Sequence, residues 1–391
     1  MTTPHRPIHW PPDWPYDVHP PPAVGEGGMV ASTDRLASQV GVRLLREGGT
    51  ATDAAVAVAL ALAVVNPEAG NLGGGGFALV RTPEGGLHAL DFRSMAPAGA
   101  TRDMFLDPDG VATGSSDVGA LPSAVPGSVQ GLAQLHQRFG RHPWSQVVEP
   151  AVELARGFPV RERLVRSYPP HIVEGLARFP ATADVFLPGG APPRVGEVFR
   201  QLDLARTLER LRDGGAEAFY RGETADLIVE TMEREGGRVT HRDLASYEAL
   251  WRPPLRVPYR DHTLVSMPPS SSGGVALAQT AAMLSGFQVD ALAWHGVEHV
   301  HLMVEAWRRA FADRNHYLAD PAFAELPLET LLSPDYGRWR GREMEGRGAT
   351  PSEEVGPGVE AYRAERGLGP REAGRETRDG AFREGDHTTH L

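Results

Sequence analysis

The chain has 391 residues, 41% hydrophobic and 23% charged, the composition of a globular protein long enough to bury a core without metal or disulfide staples. It holds no cysteine and all 39 basic residues are arginine, which excludes disulfides, thiolate metal sites, a cysteine nucleophile, a phosphate-loop lysine and a lysine Schiff base. The formal charge of −11 comes with no basic stripe, so nucleic acid is not an expected partner.

Residues 1–22 contain eight prolines and no apolar segment of the kind that directs secretion, so they read as a proline-rich tail and the expected location is cytoplasmic. Ser32 and Thr33 offer caps for a helix with Leu36, Val40, Val42, Leu44 and Leu45 on its apolar positions, ended by Gly48 and Gly49. A second helix starts near Thr52 and runs through Ala54–Val65. That run has 12 apolar residues, short of the about 20 a membrane span requires, so it predicts a buried core helix and no membrane span. Asn66 and Pro67 stop it, and the glycine-rich loop GNLGGGG follows at 70–76. Residues 77–81 and 87–92 then read as strands of a hairpin turned at Pro83–Gly86.

Apolar periodicity predicts helices over about 128–139, 144–156, 201–212, 216–235 and 241–250. Residues 263–267 read as a strand leading into PPSSSGG at 268–274. A further helix covers about 296–313, with Val300, Met303, Val304, Trp307 and Phe311 on one stripe. From 341 to 387 the sequence is rich in Gly, Arg and Glu and carries no sustained period, which predicts a flexible linker. The chain closes with GDHTTHL at 385–391.

Several motifs are candidates for chemistry. The glycine loop follows a helix and precedes a strand, the reverse of a dinucleotide fingerprint, so it reads as a tight backbone crossing or a loop beside a ligand. His295 and His299 have helical spacing but no accompanying HExxH, which favours a solvated helix start over a metal site. No GxSxG elbow is present. Ser270, Ser271 and Ser272, with Gly273 and Gly274, either line a site or form a structured turn. Arg93 stands at the end of a strand in DFRSMAP, where its guanidinium can grip a carboxylate through two parallel bonds or pair with Asp91 or another acid. A threonine such as Thr388 gains meaning if the chain is cut before it, because a new N-terminal α-amine, with a pKa of about 8, lies within reach of its hydroxyl as a base.

Taken together, the segments 28–80, 91–107 (DFRSMAPAGATRDMFLD), 126–132 (PGSVQGL), 266–274 (SMPPSSSGG), 303–321 (MVEAWRRAFADRNHYLADP) and 388–390 (TTH) resemble, in order, the γ-glutamyltranspeptidase family of N-terminal-nucleophile hydrolases. The resemblance implies an α/β fold, a four-layer αββα sandwich that is incomplete here because the small-subunit part is missing. It implies a tail at 1–22, a large-subunit region at 23–340, a linker at 341–387 and the start of a small subunit at 388–391. It also implies self-cleavage between His387 and Thr388. Thr388 then attacks the γ-amide of glutathione or another γ-glutamyl compound, and water or an amino acid or dipeptide acceptor takes the group. Arg93 would hold the substrate α-carboxylate. No cofactor and no metal are implied. The small subunit would bring the oxyanion hole, so the 391 residues alone are expected to be inactive. Two other readings stand beside this one: a cephalosporin-acylase-like amidohydrolase of the same fold, and a non-catalytic truncated remnant.

Overall fold

A computed structural model of the chain describes residues 23–344 and 348–369. In chain order they form α1 (Arg35–Arg46), α2 (Ala51–Val65), β1 (Gly76–Arg81), β2 (Leu87–Phe92), α3 (Ser128–Phe139), α4 (Trp144–Arg156), β3 (Phe158–Pro159), α5 (Glu162–Arg166), α6 (Pro170–Ala177), α7 (Pro180–Phe186), β4 (Val198–Phe199), α8 (Leu202–Gly214), α9 (Glu217–Tyr220), α10 (Glu223–Glu235) and α11 (His241–Ser246). There follow β5 (Leu250–Arg252), β6 (Leu255–Tyr259), β7 (His262–Ser266), α12 (Gly273–Leu284), α13 (Val297–Tyr317), α14 (Leu328–Leu331), α15 (Pro334–Arg342) and α16 (Val359–Glu365). Strands β1, β2 and β5 form one sheet in that order, and β3–β4 and β6–β7 form antiparallel pairs. The chain divides into two units, one holding Gly25–Ala78 and Leu90–Trp251, the other Leu79–Ala89 and the described residues from Arg252 through 369.

The first unit is built on α2. Its Ala/Val/Leu run has no polar face and nearly every side chain is buried, packed by α1, α3 and α4, as an all-round apolar helix must be. Its start is fixed by a reciprocal capping box in which the Thr50 hydroxyl accepts from the Asp53 N–H and the Asp53 carboxylate accepts from the Thr50 N–H. Asp53 is fully buried and also accepts from the Arg141 and His142 N–H groups. Burial alone would raise its pKa, but the N–H donors of Thr50, Arg141 and His142 overcome it and hold the carboxyl below its ordinary value.

Two expected helices differ. The stretch 216–235 is broken at Gly222, whose φ of 70° lies in the left-handed region, so α9 ends and α10 starts afresh. In 241–250 the helix stops at Ser246 and Leu250–Arg252 joins the sheet as β5. Pro253 and Pro254 follow directly, and a proline drives the residue before it into extended geometry.

The second unit contains α12–α16. Here the expected apolar stripe of α13 points the other way from a core face. Val300, Val304, Trp307 and Phe311 are between 41% and 51% exposed, and only Met303 of the expected set packs inward. The buried face carries Glu305 and Arg309, each 2% exposed, and Asp313 at 1%, with Ala306 and Ala310 between them. Glu305 accepts from the Arg309 Nη1 at 2.5 Å, the Arg308 Nη1 at 2.8 Å, and the Thr350 Oγ1 and N at 2.7 and 3.2 Å. Asp313 accepts from the Gln279 Nε2 at 2.8 Å, the Tyr336 hydroxyl at 2.5 Å and the Gly358 N–H at 2.8 Å. Arg309 and Arg340 share the Glu343 carboxylate.

These bonds draw in residues that the composition places in a flexible linker. Thr350, Gly356 and Gly358 are bonded into the buried network, Val359 and Tyr362 are buried, and α16 is helical. Only 341–344 and 348–369 of the expected linker are among the described residues, and there it is tied down by polar contacts that hydrophobic periodicity does not register.

Burial would raise the Glu305 carboxyl, yet the hydrogen bonds from Thr350 and Arg309 prevail and bring its pKa from 4.5 to about 2. A depressed carboxyl stabilises the fold fully above its unfolded pKa and loses that contribution as pH falls through the folded one. Urea unfolding of the wild type should therefore show stability falling between pH 4.5 and about 2. Glu305→Gln should flatten that segment and cost about 3–5 kcal/mol at neutral pH, the penalty of leaving a buried charge without its partner.

Candidate active site

Three of the sequence motifs meet in the first unit. The N-terminal amides of α3, those of Gly127 and Ser128 in PGSV, both donate to the Gly74 carbonyl of the glycine loop, at 2.7 and 2.9 Å. Gly75 lies against the turn that follows β2: a Cβ there would sit 2.2 Å from the Ser94 nitrogen and 2.7 Å from the Arg93 carbonyl carbon. The Met95 and Val125 backbones exchange hydrogen bonds in an isolated bridge, at 3.2 and 2.8 Å, tying the DFRSM segment to the residues before α3. The glycine loop is thus a close backbone crossing against Arg93 and Ser94.

Arg93 is held by its backbone and free at its tip. Its N–H donates to the Asp91 Oδ1 at 3.1 Å and its carbonyl accepts from the Tyr247 hydroxyl at 2.9 Å. The side chain is exposed, and the guanidinium makes no ion pair with any described residue. Of the two uses open to this arginine, pairing with Asp91 is not the one found: Asp91 accepts from the Arg93 backbone N–H, and no ion pair joins it to the guanidinium. A cation fixed at a strand end and left unpaired is suited to take a carboxylate from solution.

Residues the sequence did not single out do the holding. Tyr247 stacks on Tyr220, with ring centroids 5.9 Å apart and planes 4° apart. The Tyr220 hydroxyl donates to the Pro126 carbonyl at 2.9 Å and accepts from the Gln130 N–H at 3.1 Å. Burial pushes both phenols well above their ordinary pKa, so both remain donors. The stacked pair therefore binds the carbonyl of Arg93 and the carbonyl ahead of α3. Asp243 adds a third tie: it closes a capping box with Thr240 and accepts from the Ala98 N–H at 2.9 Å. The Thr240/Asp243 spacing is legible as a capping box in sequence. Nothing in the sequence marks Tyr247.

The serine loop belongs to the second unit. The Ser272 hydroxyl accepts from the Arg314 Nε at 2.9 Å, and a Cβ on Gly274 would meet the Met267 carbonyl oxygen at 2.1 Å; Ser271 and Ser272 lead into α12, which Gly273 and Gly274 open. At the start of α13 the His299 Nδ1 accepts from the His295 N–H, and among the described residues no group of three potential metal ligands gathers there or elsewhere. A cavity of about 750 Å³ in the first unit is lined by Arg35, Arg161, Arg163 and Arg166 among others, but by none of the candidate site residues, and Arg163 there is already engaged by Asn66 and Glu68. His387 and Thr388 lie outside the described residues.

Comparison with known proteins bears on this arrangement. The family model described as gamma-glutamyltranspeptidase matches residues 37–391. The chain is 41% identical over 339 residues to the glutathione hydrolase proenzyme of Escherichia coli, covering 86% of this chain but 58% of that protein. It is 38% identical over 323 residues to the Acylase ACY 1 proenzyme of a Pseudomonas species, covering 81% of this chain and 58% of that one. Among solved structures, the crystal structure of Helicobacter pylori gamma-glutamyltranspeptidase superposes with a TM-score of 0.84 at 37% identity, covering 87% of this chain and 98% of that chain. The α/β fold expected from the motifs is the one found. The chain spans a little under three fifths of the curated proenzymes it matches.

Gly75→Ala should be poorly tolerated, because its methyl must displace backbone at Arg93 and Ser94 and no rotamer relieves that. Tyr247→Phe removes one hydrogen bond and should cost about 1 kcal/mol. Chemical unfolding followed by tryptophan fluorescence should rank Gly75→Ala as the more damaging of the two.

Proposed function

The chain belongs to the γ-glutamyltranspeptidase family, and from that premise we propose that it is the arginine-bearing portion of a glutathione hydrolase and γ-glutamyltransferase. Hydrolysis of the 387–388 peptide bond leaves a carboxylate on His387 and a free α-amine on Thr388. That amine takes the proton of the Thr388 hydroxyl as the oxygen attacks the γ-carbonyl of the substrate. The amide bond breaks, the protonated amine of the leaving peptide departs, and a γ-glutamyl ester remains on Thr388. Water releases glutamate from it, or the amino group of an amino acid or dipeptide takes the acyl group instead.

The observation that carries this reading is the Arg93 guanidinium at the end of β2, fixed through both its backbone groups and unpaired among the described residues. A γ-glutamyl substrate presents an α-carboxylate far from the scissile amide, and a bidentate arginine reads that group at a distance from the chemistry. A glutaryl substrate of the acylase kind carries a carboxylate at the same place and lacks only the α-amine, so Arg93 fits either; the γ-glutamyl class is supported instead by the higher identity to a glutathione hydrolase proenzyme, 41% against 38% for an acylase. A second polypeptide, equivalent to the part of the proenzymes this chain does not span, is needed to complete the site. It would supply the donors that stabilise the tetrahedral oxyanion, each worth a factor of about 10² to 10³ in rate.

In the assembled enzyme, Thr388→Ala should abolish both chain cleavage and turnover. Arg93→Ala should leave cleavage intact and raise KM for glutathione by roughly 10- to 100-fold, the value of a charge-assisted contact. Gel mobility reports the first and steady-state kinetics the second. Intact cleavage in Thr388→Ala would remove the N-terminal-nucleophile assignment.

A further inference from the structure

The cavity of about 750 Å³ in the first unit is walled by the start of α1 and by the residues around α5, and it holds none of the residues assigned to the reaction. Its charges do not cancel. Each acid on the wall is already answered: the Asp34 carboxylate accepts from the Leu36 N–H and caps α1, Glu68 accepts from the Arg163 Nη2 at 2.9 Å, and Glu162 accepts from the Arg166 Nη2 at 3.4 Å. Two of the cations are not. The guanidiniums of Arg35 and Arg161 make no hydrogen bond or ion pair with any described residue. A third donor also stands open, because the Arg163 Nε–H is buried without an acceptor while its Nη2 holds Asn66 and Glu68. Buried polar groups are nearly always bonded, so an orphaned guanidinium N–H on a cavity wall points to a missing acceptor.

The two free arginines stand where the fold gains nothing from them. Arg35 is the first residue of α1, at the positive end of a 12-residue helix whose first turn carries no acid. A cation there opposes the helix dipole. Arg161 is the residue ahead of α5, on extended backbone, and its side chain makes no capping bond. A bound anion reverses the sign of both placements: it neutralises the guanidiniums and is itself favoured beside the start of α1. Val160 and Val195 give the wall an apolar part, so an organic anion can be lodged as well as an inorganic one.

We propose that this cavity is an anion site separate from the substrate site, taking a small dianion, either a phosphate group or a pair of carboxylates, on Arg35 and Arg161. The planar guanidinium fork pairs with either oxyanion through two parallel bonds. Two uncancelled positive charges match a double negative charge and select against a monoanion. No bond is made or broken there.

Isothermal titration of the full chain with phosphate, with succinate and with acetate, at constant ionic strength and without substrate, tests it. Phosphate or succinate should bind saturably, one ion per chain, and acetate should not; the tighter of the two tells a phosphate site from a dicarboxylate site. Arg35→Gln/Arg161→Gln should weaken binding by about 100-fold, a factor of about ten for each charge-assisted contact. The ligand-free double variant should melt as the wild type does, since neither side chain has a partner to lose among the described residues. Val195→Glu, which puts a carboxylate on the same wall, should weaken binding as well. Arg93→Ala should bind as the wild type does, which separates this site from the unpaired arginine at the end of β2. Absence of saturable binding, equal binding of acetate, binding that survives in the double variant, or binding that Arg93→Ala removes would each overturn the proposal. Such a failure leaves the γ-glutamyl reading standing, because that reading turns on Thr388 and on turnover of glutathione.

Discussion

The second unit depends on the ion pair between Glu305 and Arg309 and on the Asp313 carboxylate one turn further along α13. Each buried charge is costly on its own, and breaking one partner leaves the other stranded. Here the costs are offset because the remaining lone pairs and protons are used by Thr350, Gln279, Tyr336, Arg340, Glu343 and the backbone of Gly358. The network fixes the rotation of α13, binds the 350–358 segment beneath it, and holds an apolar row in solvent.

The first unit solves a different problem, that of holding an arginine still without using its charge. Backbone contacts do this work: Asp91 and Tyr247 grip the two peptide groups at Arg93, and Gly75 permits the approach of the glycine loop. A guanidinium held through its own ion pairs would already be occupied. One held through its main chain remains available, which connects the packing of DFR, PGS and the glycine loop to recognition of a carboxylate.

Elements whose formation follows from local chemistry were legible in the sequence. The apolar run of α2, the β1–β2 hairpin and its turn, α3, α4 and the start of α13 all occur where periodicity and punctuation put them, though α13 runs on to Tyr317. What sequence could not reveal was the sense of α13. A stripe of Val300, Val304, Trp307 and Phe311 has the same period whether it faces a core or a partner, and only the buried acids on the opposite side decide. The α12 segment GGVALAQTAAML was missed because it is apolar on most sides and shows no single stripe. Tyr247 was missed because a hydroxyl reaching a carbonyl 154 residues away leaves no local mark. Within the candidate site, Arg93 was legible as a strand-end arginine, but its freedom from Asp91 was a matter of geometry. The linker expected over 341–387 failed at Thr350 to Tyr362 for the same reason, since its ordering comes from polar contacts with a distant helix.

The central claim is that the chain is cut to expose a threonine nucleophile, and intact-mass spectrometry of the untagged protein purified from its own cells tests it most directly. The account predicts one piece ending at His387 and another beginning at Thr388. A polypeptide running uncut through the 387–388 bond would contradict it and leave the family membership without the chemistry.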